Sequence, residues 1–131
     1  MIDVVSRDRP VFRREGDYWT ITFAGTLCRL RDSAGLRHLA YLLGRPGQRI
    51  SAAELIDQAF GSASVGEHLP PPDAGRAMES ARVRVTHSIR RTLARIAEHH
   101  AELNEHLRAT IKTGYRCAYL PDPRLPLRWE L

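Results

Sequence analysis

Between Ala77 and His99, Met78, Ala81, Val85, Ile89, Leu93 and Ile96 recur every three or four positions. That period places them on one face of an α-helix. At about 100° per residue, Arg84, His87, Ser88, Arg91 and Arg95 share a separate face, with Arg90 further round. A helix striped in this way suits two roles. It either lies on a small core with its basic side toward a polyanion, or it is simply solvated on that side. The pattern alone does not choose between them.

The period is different on either side of this helix. From Val11 the chain reads VFRRE, then a Gly16-Asp17 turn, then YWTITF, where Trp19, Ile21 and Phe23 alternate with Tyr18, Thr20 and Thr22. Ala24-Gly25 is the next turn, and TLCRL follows. Three short alternating runs joined by two tight turns predict an antiparallel meander with one face toward a core. After Arg31 the period becomes helical. Asp32 or Ser33 caps a helix through GLRHLAYLLG, with Leu36, Leu39, Leu42 and Leu43 inward and Gly35 weakening its first turn. Gly44 and Pro46-Gly47 stop it, and Arg49-Ile50 leaves room for a strand residue or two. Ser51 and Glu54 form a capping box that opens AAELIDQAF, with Leu55, Ile56 and Phe60 inward.

Residues 61–76, with three consecutive prolines, have no periodicity and predict a flexible loop. Beyond the basic helix, AELNEHL is either a short separate helix or a bent continuation. ATIKT, Gly114 and YRCAYL then predict a two-stranded hairpin carrying Lys112 and Arg116 close to its tip. The last eleven residues hold three prolines and exclude a regular central strand or helix. Within them Trp129, with Leu125 and Leu127, either folds back over an apolar groove or serves as a docking peptide. The predicted organisation is a leader over 1–10, one domain over 11–120 and a proline-rich tail over 121–131.

Composition narrows the partners. The 131 residues are 43% hydrophobic and 27% charged, which fits one folded domain rather than a disordered chain. The net charge of +5 is carried mostly by arginine, whose planar fork matches phosphate oxygens. No apolar run approaches the roughly 20 residues of a transmembrane helix, so no membrane partner is expected. The first ten residues are too short and too charged for a signal peptide. Cys28 and Cys117 cannot build a disulfide framework and read as small apolar strand residues. Together these features predict a cytoplasmic protein.

Meander, helix, helix, long basic helix and terminal hairpin follow the order of a winged helix, in which the long helix enters a major groove and the hairpin is the wing. The run GLRHLAYLLGRPGQRISAAELIDQAF resembles the first two helices of the OmpR/PhoB-type DNA-binding domain of response regulators. ARVRVTHSIRRTLARI is similar to that family's recognition helix. IKTGYRCAYLP resembles its closing hairpin through Thr113-Gly114-Tyr115-Arg116, although a second glycine is missing and a shorter wing is expected. The meander matches the family's amino-terminal sheet. The resemblance covers residues 11 to about 120. It implies an α+β winged helix-turn-helix with an N-terminal antiparallel meander, a three-helix core and a hairpin wing.

By function, the resemblance implies a bacterial-type transcription regulator, DNA-binding and standing alone because no receiver domain precedes it. Arg84, His87, Ser88 and Arg91 would face the major groove, and Arg90 and Arg95 would hold phosphates. Lys112, Tyr115 and Arg116 would touch the minor groove or its backbone. Tyr115 has a second reading, as a ring packing the hairpin against Trp19. RNA polymerase is a further candidate partner, although the region that contacts it in family activators is long and proline-rich here. One such domain is small for tight binding, so a homodimer or a tandem arrangement is expected. The competing reading is an adaptor that docks onto polymerase or a signalling partner through Trp129 or the proline-rich loop.

Nothing asks for catalysis or a cofactor. GRPGQRIS lacks the lysine and spacing of a phosphate-cradling loop. His99, His100 and His106 with Glu98, Glu102 and Glu105 lack the geometry of a zinc set, since His99 and His106 share a face only on an unbroken helix. No serine sits in a nucleophile elbow, and neither cysteine has a recognisable histidine partner.

Overall fold

The structure is a computed structural model that describes residues 9–60, 74–124 and 128–131. It is α+β. An antiparallel sheet of β1 (Val11–Glu15), β2 (Tyr18–Phe23) and β3 (Thr26–Arg31), in that order, comes first. There follow α1 (Ala34–Leu43), β4 (Ile50–Ser51), α2 (Ala52–Phe60), α3 (Ala74–His99), α4 (Ala101–Thr110), β5 (Ile111–Lys112) and β6 (Arg116–Tyr119). The last three strands form a second sheet in the order β4-β6-β5, antiparallel throughout. Among the described residues no helix is long and apolar enough to cross a membrane.

The meander alternates as its sequence predicts. Phe12, Trp19, Ile21, Cys28 and Leu30 are buried, while Arg13, Arg29 and Arg31 lie on the outer face. Ala24 and Gly25 both take positive φ, 51° and 81°, the mirror-image turn that suits the strand twist. Ser33, rather than Asp32, caps α1 by accepting from the Leu36 N–H at 3.3 Å. Asp32 instead accepts from Trp19 Nε1 at 2.8 Å and from Arg37, fastening the sheet to α1.

The helices bury Leu36, Leu39, Leu42, Leu55, Val85, Ile89, Leu93, Ile96, Leu103 and Leu107 into one core. Gly35 does not loosen α1. It lets α1 approach α3: a Cβ there would stand 2.0 Å from Thr92 Oγ1 and 2.5 Å from the Ser88 carbonyl oxygen. A glycine bought at the helix-propensity cost therefore serves helix–helix packing.

Several expectations are corrected. There are four helices among the described residues, not three, because His100 leaves helical geometry (φ −153°) and its ring caps α4. Its Nδ1 accepts from the Leu103 N–H at 3.2 Å, so Nε2 carries the hydrogen and donates to the Phe23 carbonyl at 2.8 Å. The first turn of α3 occupies 74–76, which the sequence placed in the loop; the rest of that loop and residues 1–8 lie outside the described residues. Met78 and Phe60, predicted inward, are 55% and 59% exposed; in the last turn of α2 it is Ala59, about 100° round from Phe60, that is buried. Ser51 caps α2 through the Glu54 N–H at 3.1 Å, but the Glu54 carboxylate accepts from the Tyr41 hydroxyl instead of completing the box. Ala109 and Thr110 are helical, so β5 keeps only two residues.

The C-terminal tail folds back. Glu130 bridges Val11 in parallel, with the Phe12 N–H donating to Glu130 O and the Glu130 N–H to Pro10 O, both at 2.8 Å. Trp129 stacks on Phe23 and meets Phe12 edge-on. Its Nε1 donates to the Tyr119 hydroxyl at 3.0 Å, and His106 Nε2 lies 3.0 Å from that same oxygen. The tail thus ties the first sheet to α4 and β6. Leu125 and Leu127, grouped with Trp129 in the sequence reading, lie outside the described residues.

Candidate nucleic-acid interface

The inner stripe of α3, Ala81, Val85, Ile89, Leu93 and Ile96, is buried against α1, α2 and α4. The opposite side is therefore turned to solvent: Arg84, His87, Arg90, Arg91 and Arg95 are exposed and Ser88 is half-buried. Ser88, Arg91 and Arg95 meet Ser33, Ala34, Gly35 and Thr92 around a hollow of about 170 Å³ where α1 begins. Arg84 lies further along the same seam, close enough to His38 of α1 for its charge to be felt there. Since 84 is near 38 and 88–95 are near 33–35, α1 and α3 run antiparallel.

Seven of the other described arginines are spent on carboxylates, while Arg31, Arg45, Arg49, Arg76, Arg108 and Arg128, scattered over the chain, have none within 4.0 Å among the described residues. Arg9 and Arg13 approach Glu130, Arg14 and Arg37 share Asp32, Arg29 approaches Glu15, Arg82 pairs with Glu79, and Arg124 pairs with Asp122. Among the described residues, Arg84, Arg90, Arg91, Arg95, Lys112 and Arg116 have no carboxylate within 4.0 Å. In particular none pairs with Glu79, Glu98 or Glu102.

The hairpin flanks α3 on its other side. Tyr115 donates from its hydroxyl to Glu79 Oε1 at 2.5 Å, and the Arg82 guanidinium lies 5.5 Å from the centre of its ring. At about 100° per residue, Glu79 and Arg82 stand roughly 140–160° round α3 from Arg84. The exposed ridge with His87 and Arg90 therefore runs between the α1 flank and the hairpin flank. The predicted residues do not form one stripe: Arg84, Ser88, Arg91 and Arg95 line the α1 flank, while Arg90 turns toward the hairpin side. Tyr115 does not pack on Trp19, which is held by Phe12 and Asp32.

No protein-family model, no curated protein and no solved structure matches this chain.

The electrostatics of the site are those of free cations beside a neutral core. Burial pushes the His38 imidazole down to about 4, the Arg84 charge adds to that, and a hydrogen bond to the Leu55 backbone opposes it. His38 Nδ1 is buried without a hydrogen-bond partner. His106 is also lowered by burial. Glu79 is held at about 2 by its bonds from Arg82 and Tyr115. Cys28 and Cys117 are buried thiols whose pKa is raised by burial, so neither is poised as a nucleophile. Among the described residues no group of three or more His, Cys, Asp or Glu side chains could hold a metal ion. His100 and His106 are occupied with Phe23 and Tyr119.

Sequence reasoning missed two functional neighbours. Gly35 carries a legible signal, a glycine inside a leucine-striped helix, which marks close packing. The pairing of Tyr115 with Glu79, 36 residues apart, has none.

Proposed function

We propose that this chain is a DNA-binding regulator of transcription, a winged helix-turn-helix similar to the OmpR/PhoB-type effector domains. In this reading α2 and α3 form the helix-turn-helix, α3 enters the major groove, and the β5–β6 hairpin is the wing. The observation that carries it is the contrast in charge pairing. Seven arginines in the described residues have carboxylate partners and the other unpaired ones are scattered, whereas Arg84, Arg90, Arg91 and Arg95 lie unpaired together on the exposed side of α3. Unpaired guanidiniums on one helix are available to release counterions from a phosphate backbone.

The roles follow from position. Arg84, His87 and Arg91, with Ser88 at the seam, are the candidates for base edges, and Arg90 and Arg95 for phosphates. Lys112 and Arg116 are exposed on the hairpin and reach the minor groove or its backbone. The pairing of β4 with β6 supports the reading, since it joins the step before α2 to the wing. One element departs from the family's order: α4 stands between the long helix and the hairpin. The chain acts in the cytoplasm as a dimer or on repeated half-sites, with RNA polymerase as a further partner.

The adaptor reading loses one of its two anchors, Trp129, while most of the proline-rich loop lies outside the described residues. Trp129 is half-buried against Phe12 and Phe23 and donates to Tyr119, so it is not a free docking residue.

The test is binding to mixed-sequence duplex DNA across a salt series. Retention at low salt that falls steeply as salt rises is expected, with a slope near −0.9 per phosphate neutralised. No binding, or binding indifferent to salt, would contradict the proposal.

A further inference from the structure

The hairpin at the edge of the proposed interface is built from very little. β5 has two residues and β6 has four, and only Ile111 and Lys112 pair with β6 from its own hairpin. So short a ladder frays readily in water, and although β4 holds Arg116 from the other side of β6, a frayed ladder would leave Lys112 and the turn unaimed. Yet the turn is fastened at two points away from its own strands. The Tyr115 carbonyl accepts from the Ala52 N–H at the start of α2, at 3.0 Å. Its side chain, though 52% exposed, spends its hydroxyl on Glu79 of α3.

Glu79 is in turn clamped. Arg82, one turn later on α3, donates to it through Nε at 3.2 Å and Nη2 at 2.5 Å, while lying over the Tyr115 ring. Both oxygens of the Glu79 carboxylate are thus engaged, one by Tyr115 and Arg82 Nε and the other by Arg82 Nη2. A bidentate guanidinium fixes the carboxylate's plane, and the fixed carboxylate fixes the hydroxyl. The charges of Glu79 and Arg82 cancel, so the junction offers no carboxylate to repel a phosphate beside the hairpin.

We infer that Tyr115, Glu79 and Arg82 are positioning residues, a latch that holds the hairpin against α3 so that Lys112 and Arg116 meet the same duplex as the α3 arginines. This rests on the DNA-binding reading and reassigns Tyr115 within it: the ring holds the wing and its hydroxyl does not touch DNA. The latch is a preorganising device. It removes the freedom that the hairpin would otherwise lose on binding.

Two variants, Tyr115→Phe and Glu79→Gln, examine it, with amide hydrogen exchange and salt-dependent duplex binding as readouts. In Tyr115→Phe, exchange at residues 112–116 should accelerate by about tenfold, the equivalent of one lost hydrogen bond, while amides of α1 and the first sheet stay as in wild type. Duplex affinity should fall by roughly threefold to tenfold, and the salt slope should flatten by about one to two contacts. Glu79→Gln, whose amide oxygen still accepts from Tyr115, should lie between wild type and Tyr115→Phe. Adding Lys112→Ala should weaken wild type but change Tyr115→Phe little, because the latch has already released that contact. A merely structural tyrosine would lower the melting temperature, leave the slope unchanged and give additive losses. Wild-type exchange at 112–116, or a wild-type slope, in Tyr115→Phe would overturn the latch. Absence of salt-dependent binding by wild type itself would instead overturn the functional reading, and the latch's role with it.

Discussion

The arginines at the junction of the first sheet with α1 and those on the outer side of α3 are the same residue put to opposite uses. Arg37 gives Nε and Nη2 to Asp32, at 3.2 and 2.6 Å, and Nη1 to the Ala59 carbonyl. Arg14 approaches the same carboxylate at 3.2 Å. There the guanidinium is a bracket joining β1, the step into α1 and the end of α2. Arg84, Arg90, Arg91 and Arg95 bracket nothing: each is exposed, and among the described residues each lacks a carboxylate. Composition treats the two sets alike. Their partners separate them, and only the second set is left with charge to offer.

The largest effect on folding is expected on the bracketing side. Arg37→Ala leaves Asp32 with only the Trp19 indole and Arg14, and strips a donor from the Ala59 carbonyl. Loss of such charge-assisted bonds should cost about 1.5–3 kcal/mol, read by urea unfolding, with duplex binding intact once the protein is folded. Gly35→Ala is next. The added methyl must displace Thr92 and the Ser88 backbone, an overpacking worth about 1–3 kcal/mol. It should also disturb duplex binding, because the seam it opens carries Ser88, Arg91 and Arg95.

A smaller effect comes from acid. Because the folded His38 is held near 4 while an unfolded histidine titrates near 6.5, the unfolded chain takes up the proton first as pH falls. Stability present above pH 6.5 is therefore lost between 6.5 and 4, at no more than about 1.4 kcal/mol per pH unit from this residue. His106, lowered in the same direction by burial, adds to the loss. Thermal melts at pH 7 and 5 should show the drop, and His38→Asn should reduce it. A melting temperature that rises on acidification would contradict the assignment.

Most of the fold is legible because it is written at short range. The period of two in YWTITF, the leucine stripe of α1 and the three-and-four spacing of α3 each state a buried face, and burial follows them at Trp19, Leu39 and Val85. Periodicity states a direction but not how far the core extends, so Met78 lies in line with the buried stripe of α3 and still meets solvent, while at the end of α2 the small Ala59 is buried in place of Phe60. The capping box fails halfway for a non-local reason: Tyr41, on another helix, outcompetes the backbone for Glu54. The site is less legible. Exposure of the α3 arginines follows from the apolar stripe opposite, but their lack of partners depends on where every carboxylate lies in space. The division between an α1 flank and a hairpin flank, and the clasp of Tyr115 on Glu79, are tertiary facts without a local sequence mark.

The contrast between the two arginine sets is tested most directly by comparing salt slopes. Arg84→Ala combined with Arg91→Ala removes two unpaired cations and should change stability by less than about 0.5 kcal/mol, as exposed substitutions do. Its duplex affinity should fall by about 1–3 kcal/mol for each side chain that reads a base, and its slope should flatten by about one for each that holds a phosphate. Arg13→Ala combined with Arg29→Ala, on the outer face of the first sheet, removes the same formal charge and should leave the slope unchanged. Equal losses in both pairs would mean that net charge alone drives binding, and wild-type affinity in the α3 pair would mean that α3 is not the reading helix.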